Sequence, residues 1–167
     1  PPETLALIRT AQEAGGGWNF AGDGTGDFAD SDTTALAMQA LAAAKVKKDD
    51  ADLRQGLAYL ANLHGPSGAW QSFGNDDPNS TSLAIMGITA AGFDPSAPCW
   101  RDAALPALRG TSYASPTAWL RTQQLPGGRI ASPNDSFGLN TFPTSQAIQA
   151  LRRAWVPVKP LGKQRCT

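Results

Sequence analysis

Three observations predict an all-α chain built from helical hairpins. The segments Asp32–Leu41, Asn79–Ile88 and Phe142–Leu151 align on Thr34, Thr81 and Thr144, which also brings Ala37, Ala84 and Ala147, and Leu41, Ile88 and Leu151, into register. Each is preceded by a second apolar stretch and a Gly-rich turn: Leu5–Gln12 leads to Gly17 and Trp18, Leu57–His64 to Gly68 and Trp70, and Ala118–Gln124 to Gly127, Gly128 and Ile130. Ala and Leu dominate these stretches at spacings of three and four, with few Val or Ile and no alternating strand pattern. Self-similarity at a period of roughly 45 to 60 residues marks stacked units, none of which buries its apolar face alone.

In chain order, helices are expected near 3–13, 32–45, 50–63, 79–91, 115–124 and 143–154, with a short one near 99–108. Gly ends the first helix of each pair because it enters the left-handed conformation without strain. The second helices begin behind Asp30-Ser31-Asp32-Thr33, Asp77-Pro78-Asn79-Ser80 and Leu139-Asn140-Thr141, rich in side chains whose oxygen accepts a free backbone amide. The repeats occupy about 3–45, 50–93 and 115–154 of a single domain, 1–167, with a tail from 155 to 167.

A content of 41% hydrophobic and 17% charged residues fits one globular domain with a sizeable core. No apolar run approaches twenty residues, so no membrane-spanning helix is expected. The chain begins at Pro1 with no Met and no targeting motif, and reads as an excised or processed piece. Net charge is zero but uneven: acidic residues exceed basic ones by six up to Leu83, and the reverse holds beyond it. That polarity favours self-association or a partner at one end, or is drift in surface composition. No dense Lys/Arg cluster interleaves with aromatics, so nucleic acid is not an expected partner.

Cys99 and Cys166 are the two cysteines. Their even number and the terminal position of Cys166 favour a disulfide tying the tail to the short helix, the alternative being two idle thiols. Neither has metal-ligand spacing. His64, the single histidine, occupies the place of Gln12 and Gln124 in the other repeats, where a hydrogen-bonding or cationic side chain suits a helix C-terminus. Zinc or a Cys/His nucleophile pair would need more partners than the chain offers. No nucleophile elbow, phosphate loop or dinucleotide fingerprint occurs, and no metal or cofactor is expected.

Asp30-Ser31-Asp32-Thr33-Thr34-Ala35 is the one chemically suggestive run. Helix capping accounts for it, and a carboxylate at a helix N-terminus is held charged, which makes it a poor proton donor.

The turns Gly17-Trp18-Asn19-Phe20 and Gly68-Ala69-Trp70-Gln71-Ser72-Phe73 resemble the Gly/Trp turns of the prenyltransferase and squalene-cyclase superfamily, and the three Thr-led helices resemble its inner helices. The likeness covers nearly the whole chain and is nearest in look to secreted bacterial repeat proteins and intrinsic-factor-like domains. It implies an α/α toroid; since a closed ring takes about twelve helices, three pairs make a partial toroid, roughly half a ring. Carried over by position from the class II terpene cyclases' Asp-x-Asp-Asp-Thr-Ala, Asp32 would be the general acid and Asp30 its neighbour, but Thr33 stands where the family has a third carboxylate. The zinc ligands of protein prenyltransferases and the Cys/Gln pair of thioester proteins are missing. The resemblance thus implies a non-catalytic, secreted or cell-surface binding or scaffolding module. Its open groove, near Trp18, Phe20, Trp70, Phe73 and Phe142, is expected to take a small apolar ligand, a peptide or a partner domain. The alternative is a cyclase-like enzyme or fragment acting through Asp32.

Overall fold

The computed structural model describes residues 2–26, 28–134 and 141–156. Among these, seven helices form: α1 (Pro2–Thr10), α2 (Ser31–Ala43), α3 (Ala51–Leu63), α4 (Pro78–Ala90), α5 (Cys99–Ala104), α6 (Pro116–Thr122) and α7 (Phe142–Leu151), with a short 3-10 turn over Pro106–Leu108.

The aligned threonines have a shared physical task. Thr34 Oγ1 accepts the backbone N–H of Trp18, Thr81 Oγ1 that of Trp70, and Thr144 Oγ1 that of Ile130, each at 3.0 Å. One hydroxyl therefore ties each Gly turn to the helix that follows. The turns themselves need glycine: Gly16, Gly68 and Gly128 have φ of 88°, 96° and 82°, which a side chain adopts only under strain. Helices α2, α4 and α7 also stop alike. Lys45, Gly92 and Arg153 follow them in the left-handed region, and Val46, Phe93 and Ala154 donate back to Leu41, Ile88 and Gln149 in the 6→1 bond of a Schellman cap. The third acceptor falls two positions earlier than the sequence alignment places it, so α7 is the shorter copy.

α2, α4 and α7 lie side by side with α4 in the middle, where 12 of its 13 residues are buried. Close approach is built in: a Cβ at Gly87 would stand 3.0 Å from Ala35 Cα on α2. One core gathers Trp18, Met38, Leu57, Leu60, Trp70, Ile88 and Trp100 between the first two hairpins; a second gathers Ala35, Leu83, Met86, Leu120, Ile130 and Ala147 around the third. After α7 the chain turns back: Trp155 packs on the second core and the Val156 N–H donates to Gln39 Oε1 of α2 at 2.8 Å.

Three expectations are corrected. α1 ends at Thr10 rather than near 13, because Gln12 leaves the helix to bridge Trp18. A two-residue ladder, β1 (Gln71–Ser72) with β2 (Asn75–Asp76), forms where no strand was expected, turned by Phe73 and Gly74 at φ of 49° and 79°, the double positive φ of a tight hairpin. Trp18 and Trp70 line no groove: they are 2% and 0% exposed, and their indole N–H groups donate to Ile8 O and Leu60 O in the last turns of the preceding helices. The expected disulfide is not among the corrections: Cys99 is disulfide-bonded, and Cys166, the only other cysteine in the sequence, lies outside the described residues.

Candidate functional site: the rim at the helix N-termini

The N-termini of α2, α4 and α7 share one rim. α2 packs along α4, and at this end Asp32 is close enough to Ser80 and Asp77 for both to act on its carboxyl. The loop leading to α7 meets α4 because Ser132 Oγ and Asn134 Nδ2 both donate to Asp77 Oδ2, the latter at 3.0 Å, and Asn134 Nδ2 also reaches Ser72 O at 3.0 Å.

The rim's carboxylates divide by role. Asp30 caps α2: its Oδ1 accepts Thr33 N at 2.7 Å and its Oδ2 accepts Thr33 Oγ1 at 2.8 Å. Asp77 caps α4, accepting Asn79 N and Ser80 N on Oδ1 while Oδ2 holds the α7 loop, so this buried group is satisfied on both oxygens. Asp32 caps nothing, which corrects the expectation of a carboxylate held charged by a helix start. It is half-buried at the second position of α2, and burial pushes its carboxyl above the ordinary value. Hydrogen bonds from Ser80 and Ser31 oppose that shift, while Asp30 and Asp77 reinforce it by repulsion.

Beside them the Gly/Asp loop closes on buried Glu13. Asn19 Nδ2 donates to Glu13 Oε1 at 2.7 Å and to Asp23 Oδ1 at 2.9 Å, holding the loop against the end of the first hairpin's outer strand of chain. No group of three or more His, Cys, Asp or Glu suited to a metal ion occurs among the described residues.

Of the five side chains expected in a groove, the three phenylalanines are exposed, Phe20 and Phe73 in the segments that lead into α2 and α4 and Phe142 at the first position of α7. Phe20 is 95% exposed, Phe73 92% and Phe142 58%, and Phe28, in the same loop as Phe20, is 80% exposed. The apolar concavity lies elsewhere: a groove of about 390 Å³ along α1 and α2, lined by Leu5, Ile8, Leu36, Ala40 and Val156. Sequence reasoning missed it because these residues sit at ordinary core spacing and the tail that brings Val156 there carries no pattern. Among the described residues, no helix is long and apolar enough to cross a membrane.

His64 departs from its expected capping role. Gln12 and Gln124 donate to Gly16 O and Gly128 O at 2.8 and 2.9 Å, whereas the His64 ring stacks on Tyr113 at 5.3 Å and lies against Trp70 and Trp100. Burial, with Arg101 nearby, lowers its pKa to about 4 against an opposing backbone hydrogen bond at Ala114, so it is a neutral core ring, not a cationic cap.

Compared with known protein families, curated proteins and solved structures, the chain matches none.

Proposed function

We propose that the chain is a non-catalytic binding or scaffolding module of the partial α/α-toroid type, acting outside the cytoplasm. The observation that carries this reading is the segregation of aromatics. The Trp18, Trp70 and Trp100 rings are consumed by the core, while Phe20, Phe28, Phe73 and Phe142 stand out from one rim at a cost in exposed apolar surface that a partner would remove. The three identical threonine bonds and the parallel row α2–α4–α7 support the toroid-type repeat, and the bonded state of Cys99 supports an oxidising compartment.

A second reading has one specific observation in its favour: the Asp32 carboxyl is shifted upward by burial, as a general acid requires. Against it stand Thr33, whose hydroxyl donates to Asp30 where a further carboxylate would sit, and the groove along α1 and α2, whose lining does not include Asp32. Incubation of the purified chain with squalene and with its epoxide separates the two. The binding reading predicts no cyclised product; a product that disappears on Asp32→Asn overturns it.

A further inference from the structure

The loops on the rim carry one sign of charge. The described residues that follow the equivalent Trp18, Trp70 and Ile130, namely 19–26, 28–33, 71–80, 131–134 and 141–142, hold Asp23, Asp30, Asp32, Asp76 and Asp77 and no Lys or Arg. The nearest cation in sequence is Arg129, just before the third loop. The same residues include Phe20, Phe28, Phe73 and Phe142, all exposed. Leu63 and Leu125, at the ends of the stretches that lead into the second and third turns, are also exposed. Of the exposed large apolar side chains among the described residues, only Leu7, Leu36, Ile148 and Val156 lie off these loops and turns.

We infer that this rim docks a cationic polypeptide segment that carries apolar side chains of its own. The inference rests on the binding-module reading and names the partner's chemistry. Protruding phenylalanines need an apolar surface to cover them, and a field of aspartates attracts lysine and arginine while repelling acidic surfaces. A second copy presenting the same rim is repelled. The opposite rim does not serve either. Arg153 pairs there with Asp94 at 2.8 Å, and Lys45, Lys47, Lys48 and Arg152 follow α2 and α7. Of the exposed large apolar side chains among the described residues, that end contributes only Val156, which sits in the α1/α2 groove. An anionic lipid surface is repelled by Asp23, Asp30 and Asp76, whose carboxylates are exposed or half-exposed. A basic, apolar-bearing segment meets both features at once.

The test titrates the full chain calorimetrically with a synthetic Lys/Leu peptide, a Glu/Leu peptide of equal length, oligolysine, and vesicles of phosphatidylcholine with and without phosphatidylglycerol. The Lys/Leu peptide is expected to bind, with affinity that falls as salt rises. The double variant Phe20→Ser with Phe73→Ser, both residues being almost fully exposed, is expected to weaken it at least tenfold with no change in thermal midpoint. Asp23→Asn with Asp76→Asn is expected to weaken it severalfold and flatten the salt dependence. Oligolysine binding as tightly as Lys/Leu, or affinity indifferent to the phenylalanine pair, overturns the inference, as does preferential binding to vesicles or no peptide binding at all. Binding of the Glu/Leu peptide at the same phenylalanines overturns the charge assignment but leaves the binding-module reading standing; cyclisation of squalene without peptide binding removes both.

Discussion

Replacing Thr81 by Val removes one hydroxyl and almost no volume. Thr81 is fully buried and its Oγ1 accepts the Trp70 backbone N–H at 3.0 Å. In the variant that amide, on a residue that is itself fully buried, has no water to turn to, and an unsatisfied buried donor costs about 1–3 kcal/mol. The equivalent Thr34→Val leaves Trp18 N unpaired in similar surroundings and should cost about as much. Thr144 is half-buried, so Ile130 N recovers part of its loss from solvent, and Thr144→Val should cost about 1 kcal/mol or less. Urea unfolding with a common slope measures all three. Thr81→Ser is the control: it keeps the hydroxyl, loses a methyl, and should cost about 1 kcal/mol. A Thr81→Val protein as stable as the parent, or a flat series across the three sites, would show that the bond does not hold the turns and that the shared threonines have another cause.

Further predictions address the helix contact, the histidine and the two aspartates. Gly87→Ala should destabilise, because overpacking against Ala35 costs about 1–3 kcal/mol and outweighs a helix-propensity gain of about 1 kcal/mol; a more stable variant in thermal melts contradicts the close α2–α4 approach. His64 is neutral in the fold down to about pH 4 but titrates at its ordinary 6.5 when unfolded, so its contribution is intact above pH 6.5 and is lost as pH falls toward 4. The full displacement corresponds to about 3 kcal/mol, which partial exposure reduces to about 2 kcal/mol, and His64→Gln should remove that part of the pH dependence of urea midpoints. At neutral pH Asp30→Ala should cost about 1 kcal/mol through loss of the cap and Asp30→Asn only a few tenths. Asp32→Asn should not destabilise: its carboxyl is raised in the fold, so stability rises as pH falls through that range and the charged form is the penalised one. Equal losses at the two positions by thermal melts would refute the division of roles.

Much of the fold was legible because local chemistry and periodicity agree. The Thr, Ala and Leu positions that align in sequence are the positions that bond a turn, approach a neighbouring helix and fill the core, as Thr81, Ala84 and Ile88 do. Boundaries were less legible, since α1 gives up its last turn to a bridge between Gln12 and Trp18 that only the folded hairpin creates. The rim was half legible. Exposure of Phe20 and Phe73 does not follow from their type, and in sequence they were indistinguishable from Trp18 and Trp70, which the core absorbs because an indole N–H can reach a helix carbonyl. Nor does sequence separate Asp30 from Asp32: a two-residue offset makes one a cap and leaves the other half-buried. Ser132 and Asn134, which bind the third loop to Asp77, lie 55 and 57 residues away from it and carry no motif.

The central claim is that function resides on the aspartate- and phenylalanine-bearing rim, and backbone amide NMR during titration with the Lys/Leu peptide tests it most directly. Shifts should concentrate at Asn19–Gly26, Phe28, Gln71–Asp76 and Thr141–Ser145, with Leu5, Ile8, Leu36 and Ala40 of the α1/α2 groove unmoved. Shifts centred on that groove, with Phe20 and Phe73 unaffected, would contradict the account.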